Sequence, residues 1–310
     1  ARKCGKETGI DETWTLPVPN TKGGASVPLA ANAKAMEKAD PNFMQIYQQM
    51  GQYWGEQPGT SGPVYVGAFV LMLFILGMFI VRGPMKWALL GATVLSILLS
   101  WGRNFMPFTN FFIDYIPMYS KFRTVASILV IAEFTIPLLA MLTLKKIVDE
   151  PEILKSKIKF VYISFGLTAG VALLFAIMPN VFFSDFISSS EMQALKSIPA
   201  EYIGPLETNL RSIRENIFTS DCWRSFWIVV MGSFFLFLFK LGKLKAQYMI
   251  GAITLLCLID MWQVNKRYLN DDMFVEQSVR EQAPAMTATD KQILQDKSLD
   301  YRVLNLSTNT

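Results

Sequence analysis

"VYVGAFVLMLFILGMFIV", residues 64–81, contains no charged residue, and Tyr65 is its most polar side chain. Crossing the hydrocarbon core of a bilayer takes about 20 mostly apolar residues as helix, and an uncharged run of this length reads as a span. The composition around it agrees. The chain has 310 residues, 52% hydrophobic and only 17% charged, with a mean hydropathy of +0.31. A soluble domain carries about 25% charged residues. The formal net charge is +4. Because the basic residues flank apolar runs, that charge is a topology signal and no nucleic-acid partner is implied.

Outward from this run, five more segments carry the same pattern: residues 86–101, 124–144, 160–178, 223–241 and 246–262. The expected fold class is therefore an all-α membrane protein, a polytopic bundle of six transmembrane helices with interfacial helices beside it. Six spans put both chain ends on one side. The three short connections hold Arg82 and Lys86, then Lys145, Lys146, Lys155, Lys157 and Lys159, then Lys240, Lys243 and Lys245. The two long ones hold Arg103, Lys121 and Arg123, then Lys196, Arg211 and Arg214. Lys and Arg are denser in the short set, so those loops are expected to face the cytoplasm and the long loops and both termini the outside. The domain plan is an extracytoplasmic segment over 1–62, six spans over 63–262 and an outer domain beginning in 263–310. The chain starts at Ala1 without an initiator Met, and "YRVLNL" (301–306) alternates like a first strand with no partner after it. A lone strand is not stable. The expectation is a segment of a longer membrane protein.

The outward parts carry helical periodicity. Phe43, Ile46, Tyr47 and Met50 share a face after Pro41, with Gly51 placed as a stop. Ser190 and Gln193 fit a capping box. Ile203, Leu206, Leu210, Ile213 and Ile217 keep three-four spacing, with Arg211, Arg214 and Glu215 assigned to the opposite face. That pattern predicts an amphipathic helix lying on the membrane or over the mouth of the bundle, where it is either a lid or plain packing. Gly55, Gly59, Gly62, Pro58 and Pro63 predict a tight outward loop that carries Glu56 and Gln57.

Chemistry is bounded by what is missing. The chain has no histidine, which removes His-based acid–base catalysis, Ser-His-Asp triads and His-ligated metals. Cys4, Cys222 and Cys257 are scattered, without a pairing or metal-ligand spacing. Carboxylates and basic residues are left. In "WGRNFMPFTNFFIDYIPMYSKFR" (101–123), Phe108, Phe111, Phe112, Tyr115 and Tyr119 form one stripe, which suits an interfacial aromatic belt. Asp114 lies off it. Lys121 and Arg123 enter the third span, where a guanidinium fork suits a phosphate or carboxylate and also suits snorkelling to headgroups. Glu133 falls about ten residues inside that span, close to mid-membrane at roughly 1.5 Å per residue. An intramembrane acid is either functional or a structural hydrogen-bonding group. Arg103 or Arg123 are its expected partners, and Pro137, four residues on, cannot donate to its carbonyl. Asp260 lies near the outer end of the last span and is expected to reach the interface. The residues call for no cofactor, and a divalent metal held by carboxylates stays open.

The segments "YWGEQPGTSGPVYVGAFV" (53–70), "LLSWGRNF" (98–105), "IDYIPMYSKFR" (113–123) and "VNKRYLNDDMF" (264–274) with "YRVLNLST" (301–308) resemble the YfhO family of bacterial multi-span membrane proteins. The resemblance implies a GT-C-like fold in the bacterial cytoplasmic (inner) membrane. It implies a glycosyltransferase that takes a sugar from a polyprenyl-phosphate-linked donor and acts at the outer face on a cell-envelope glycan or lipid. Its catalytic acid would precede this segment; within the chain, Glu56, Asp114 and Glu133 are the candidates. Arg123, Lys121 and Arg103 are the candidates for holding the carrier phosphate. Pro117, Phe122 and Arg123 match the family pattern P-x-x-x-x-F-R, but the further Arg that follows it in the family is absent from "TVASILV" (124–130). The alternatives are a flippase or transporter, with Glu133 and Pro137 as a coupling site, and a non-catalytic scaffold subunit. The oligomeric state is not written in these residues.

The orientation is open to direct labelling. With the native cysteines replaced, a cysteine at Ser120 is labelled from outside by a membrane-impermeant maleimide and one at Ser156 is not. The reverse pattern would overturn the charge-based assignment.

Overall fold

In a computed structural model the described residues are 29, 32–47, 50–52, 54, 64–121, 125–183, 186–196 and 198–268, with 292 and 295. The chain divides into units 1–269 and 270–310, and the first holds nearly all of them. Among the described residues no strand forms, so the alternation of residues 301–306 and the glycine-rich loop with Glu56 lie outside what the structure describes.

Six apolar helices form where the sequence places its six runs. They are α1 (Ala68–Ile80), α2 (Met85–Ser100), α4 (Val130–Asp149), the composite α5 (Ile158–Phe165) and α6 (Val171–Ile177), α8 (Ala200–Lys240) and α9 (Ala246–Asn265). Between α2 and α4 lies the short helix α3 (Met106–Tyr115), and ahead of α8 lies α7 (Ser189–Leu195). Four helices are long and apolar enough to cross a membrane: Ser127–Asp149, Ile158–Ile177, Ala200–Lys240 and Ala246–Asn265. This is the fold of an all-α, multi-pass membrane protein. The opening run is shorter as helix than as sequence. Residues 64–67 lie outside the helix and α1 has 13 residues; α2 has 16. At about 1.5 Å per residue they reach roughly 20 and 24 Å, against a hydrocarbon core of about 30 Å. The break has a local cause, since Gly67 sits at φ +93°, where a residue with a Cβ is strained.

The short helix α1 is the centre of the bundle. Phe69, Met72, Leu73, Leu76 and Ile80 pack with Ala140 and Ile147 of α4, Val229 and Leu236 of α8, and Met249 and Ile253 of α9. Two glycines let the neighbours come close. A Cβ on Gly232 would lie 2.2 Å from the Phe69 ring, and one on Gly77 would lie 2.2 Å from Thr143 Oγ1. Small residues at helix crossings are the usual way to gain packing where lipid offers no hydrophobic drive. On the far side, α2 joins α4 through a polar seam. The Thr93 and Thr135 hydroxyls are 2.7 Å apart, and Ser96 donates to the Ile128 carbonyl at 2.7 Å. Pro137 lies inside α4, which is helical from Val130 to Asp149 without interruption.

The amphipathic pattern of residues 203–217 is not a separate surface helix. It is the first half of α8, a continuous helix of 41 residues, roughly 60 Å long. Its stripe of Leu206, Leu210, Ile213 and Ile217 is covered by Phe43, Tyr47, Met50, Ile187 and Leu195, a second core apart from the bundle. The two stripes read separately in the sequence are each other's partners. Arg214, assigned to the polar face, is fully buried instead. Its Nη1 and Nη2 donate to Glu191 Oε2 and Oε1 at 2.7 and 2.6 Å. Nη1 also donates to the Phe186 carbonyl at 2.8 Å, and Nε and Nη2 to the Gly51 carbonyl at 3.3 and 2.9 Å. All five donors of the fork are used. The capping box at this point is Ser188 with Glu191, not Ser190 with Gln193: Ser188 Oγ accepts from the Glu191 N–H, and Glu191 Oε2 accepts from the Ser188 N–H. Glu191 thus closes both the cap and the ion pair.

Removing one partner of a buried pair strands the other charge and costs about 3–5 kcal/mol. Glu191→Ala is expected to lower the thermal midpoint of the detergent-purified protein strongly. The double change Glu191→Leu with Arg214→Met should lose less.

Candidate functional site

The residue that organises the site is Asp260, in the last turns of α9. It is 1% exposed, so it does not reach the interface as its position in the sequence predicts. Tyr65 Oη donates to both carboxylate oxygens, at 3.0 and 2.8 Å, and the Ala68 N–H donates to Oδ2 at 3.1 Å. A carboxylate here meets the unsatisfied N–H groups and positive dipole end at the start of α1. Arg224 of α8 lies beside it, with Nε 3.9 Å from Asp260 Oδ1 and Nη1 3.7 Å from Asp221 Oδ1. The guanidinium also covers the Tyr65 ring, 5.5 Å from its centroid. Arg267, just past α9, forms a two-pronged pair with Asp221 at 2.8 and 2.5 Å. Two carboxylates and two guanidiniums therefore tie the start of α1, the middle of α8 and the end of α9 together.

This network forms one wall of a cleft of about 530 Å³. Leu71, Leu167, Val171, Phe175 and Val229 supply apolar walls, and Asp221, Arg224, Arg267 and Tyr268 line its polar part. The opposite wall comes from a π turn, Gly166–Gly170, which interrupts the helix between α5 and α6. Thr168 Oγ1 turns back onto the Ser164 carbonyl at 2.8 Å. An extra residue per turn shifts the faces of α5 and α6 relative to each other, and such bulges recur at functional sites. Within the polar part, Nε and Nη1 of Arg224 are buried and make no hydrogen bond. Both carboxylates lie just beyond hydrogen-bonding distance of them. The guanidinium is held by charge and by the Tyr65 ring, with two donor groups unused.

The residues singled out in the sequence do not converge on this cleft. Asp114 and Lys121 are exposed on the aromatic segment, and neither lines it. Glu133 is half-buried in the first turn of α4 and does not line it either. Arg103 lies in the 3-10 turn Gly102–Phe105, but its side chain, like Arg123 and Glu56, lies outside the described residues. The pairing of Glu133 with Arg103 or Arg123 therefore falls there too. The aromatic stripe is formed as a ladder: Phe105 on Phe108, Phe108 on Phe112, and Phe112 on Tyr119, with ring centroids 5.0–5.6 Å apart. Met118, at φ +67° and 74% exposed, turns the chain after it. Among the described residues no group of three or more His, Cys, Asp or Glu side chains could hold a metal ion. Asp221, Arg224 and Arg267 were the missed residues, and Asp260 was placed near the end of the last span without a role. The available signal was their placement: two acid–base pairs at corresponding ends of the last two spans.

Comparison with protein-family models, curated proteins and solved structures finds no match to this chain.

Tyr65 is the donor whose loss isolates Asp260. Leaving a buried acceptor without its partner costs about 1–3 kcal/mol, so Tyr65→Phe should lower thermal stability by that order. Combined with Asp260→Asn, the two effects should be non-additive by about 0.5–3 kcal/mol in a double-mutant cycle. Additivity would show that the network is not one unit.

Proposed function

We propose that this chain is the membrane domain of a glycosyltransferase that uses a polyprenyl-phosphate-linked sugar donor at the outer face of the membrane, and that the carrier's phosphate binds at Arg224. The observation that carries the reading is the cleft beside α1. A lipid-linked donor needs an apolar surface for its chain and a cation for its phosphate, and the cleft presents both. Arg224 lines the polar part of the cleft, and a guanidinium fork matches phosphate oxygens. In sugar transfer of this kind a carboxylate deprotonates the acceptor while cations stabilise the departing lipid phosphate. Arg224 takes the second role, supported by Arg267. Asp221 lines the cleft but is engaged by Arg267, so it positions that guanidinium. The acceptor's base belongs to another carboxylate, for which Glu56, Asp114 and Glu133 are the candidates carried over from the sequence. The family resemblance supports the choice of a sugar donor, and the cleft supports the choice of a lipid one.

A transport reading has one observation in its favour. Local departures from α geometry recur at functional sites, and the π turn at Gly166–Gly170, within the continuous helix Ile158–Ile177, lines this cleft.

Loss of a donor that stabilises developing charge lowers a rate by about 10²–10³. In membranes carrying the protein, Arg224→Ala should cut sugar incorporation from a radiolabelled polyprenyl-phosphate donor by about a hundredfold, and Arg224→Lys by less. Arg123→Ala, run in parallel, tests the guanidinium favoured by the sequence. Unchanged incorporation with Arg224→Ala would remove it from the site. Counterflow of a labelled solute without incorporation would favour transport.

A further inference from the structure

A second concavity lies on the same helices, at the lysine-dense end of the bundle. It is a groove of about 320 Å³ between α5 and the last turns of α8. Its existence follows from the π turn. Above the turn α6 packs along α8; below it α5 packs along α1, so α5 and α8 are left apart. Leu154, Ile158, Tyr162 and Phe165 form one side and Val230, Phe234 and Phe237 the other. The one hydroxyl on the α8 side, Ser233, is turned inward and donates to Met72 Sδ at 3.3 Å. The rim is apolar and open, with Tyr162, Phe234 and Phe237 67%, 49% and 50% exposed.

The only charged lining residue is Lys240, in the last turn of α8. It is half-buried, and no hydrogen bond or ion pair engages it among the described residues. A lysine suits the negative end of a helix, and that alone accounts for its residue type. It does not account for the groove beneath it. Lys157, seated over the Phe160 ring, and Lys159 add positive charge on the α5 side. Of the acids in the connection ahead of α5, Glu152 pairs with Lys155 and Glu150 with Lys146, and Asp149 at the end of α4 is exposed and does not line the groove. An apolar slot ending in a lysine that no described acid pairs with matches an acyl chain joined to an anionic headgroup.

We propose that this groove binds an anionic phospholipid, with one acyl chain between α5 and α8 and the phosphodiester at Lys240. The site is separate from the Arg224 cleft and stands whether or not the chain transfers sugar. A juxtamembrane lysine is worth about a fivefold preference for an anionic over a zwitterionic lipid. The test is native mass spectrometry of the detergent-purified full chain, offered equal amounts of dioleoyl phosphatidylglycerol and dioleoyl phosphatidylcholine. Phosphatidylglycerol adducts are expected to dominate about fivefold. Lys240→Gln should bring the ratio near one, whereas Lys243→Gln should leave it unchanged. Val230→Trp, which fills the groove, should lower binding of both lipids. Equal binding by the unmodified protein, a ratio untouched by Lys240→Gln, or full binding by Val230→Trp would each overturn the proposal. Should Lys240→Gln fail to fold, Val230→Trp decides it.

Discussion

The bundle depends on how one buried carboxylate is satisfied. Asp260 is 1% exposed, and an unpaired charge in that position would not be tolerated. Tyr65 and the first N–H of α1 meet it, with the Arg224 guanidinium close by. These contacts lie where α1 begins, with residues 64–67 outside it and the central helix correspondingly short. They also pull α9 and α8 onto the same end of α1. The cleft is what remains between that tied end and the π turn across from it. Arg224 is drawn toward two acids but hydrogen-bonded by neither, so two of its nitrogens are buried there without a partner.

The second constraint is the length of α8. A helix that runs roughly 60 Å cannot be buried in a bilayer along its whole length. The half beyond the apolar span must find its own cover, and it finds it in residues 29–50 and 187–195. Arg214 holds those segments in place by sharing its five donors among Gly51 of one segment and Phe186 and Glu191 of the other. One continuous helix is shared between the two cores. Asp221 and Arg224 sit where the two halves meet.

Much of this was legible in one dimension. Apolar run length located six helices, and three-four spacing located the stripes of Phe43–Tyr47–Met50 and of Leu206–Leu210–Ile213–Ile217, because burial imposes those periods on any helix. What periodicity cannot report is the partner. It assigned Arg214 to a polar face because an arginine is usually solvated, and it set Asp260 at the interface because a carboxylate near a span end usually reaches water. Both were overridden by contacts more than twenty residues away in sequence. The capping box was displaced by two residues for a similar reason: Glu191 serves the cap and Arg214 together, and no local pattern shows that double use.

The sequence by itself determined the solvent of this protein. Long uncharged runs leave the backbone no choice but helix in lipid, and the clustering of lysines marks one end of the bundle. The tertiary structure decided which charges are buried and which are left with spare bonding capacity. That depends on distances among side chains from α1, α8 and α9, and such distances exist only once the helices have packed.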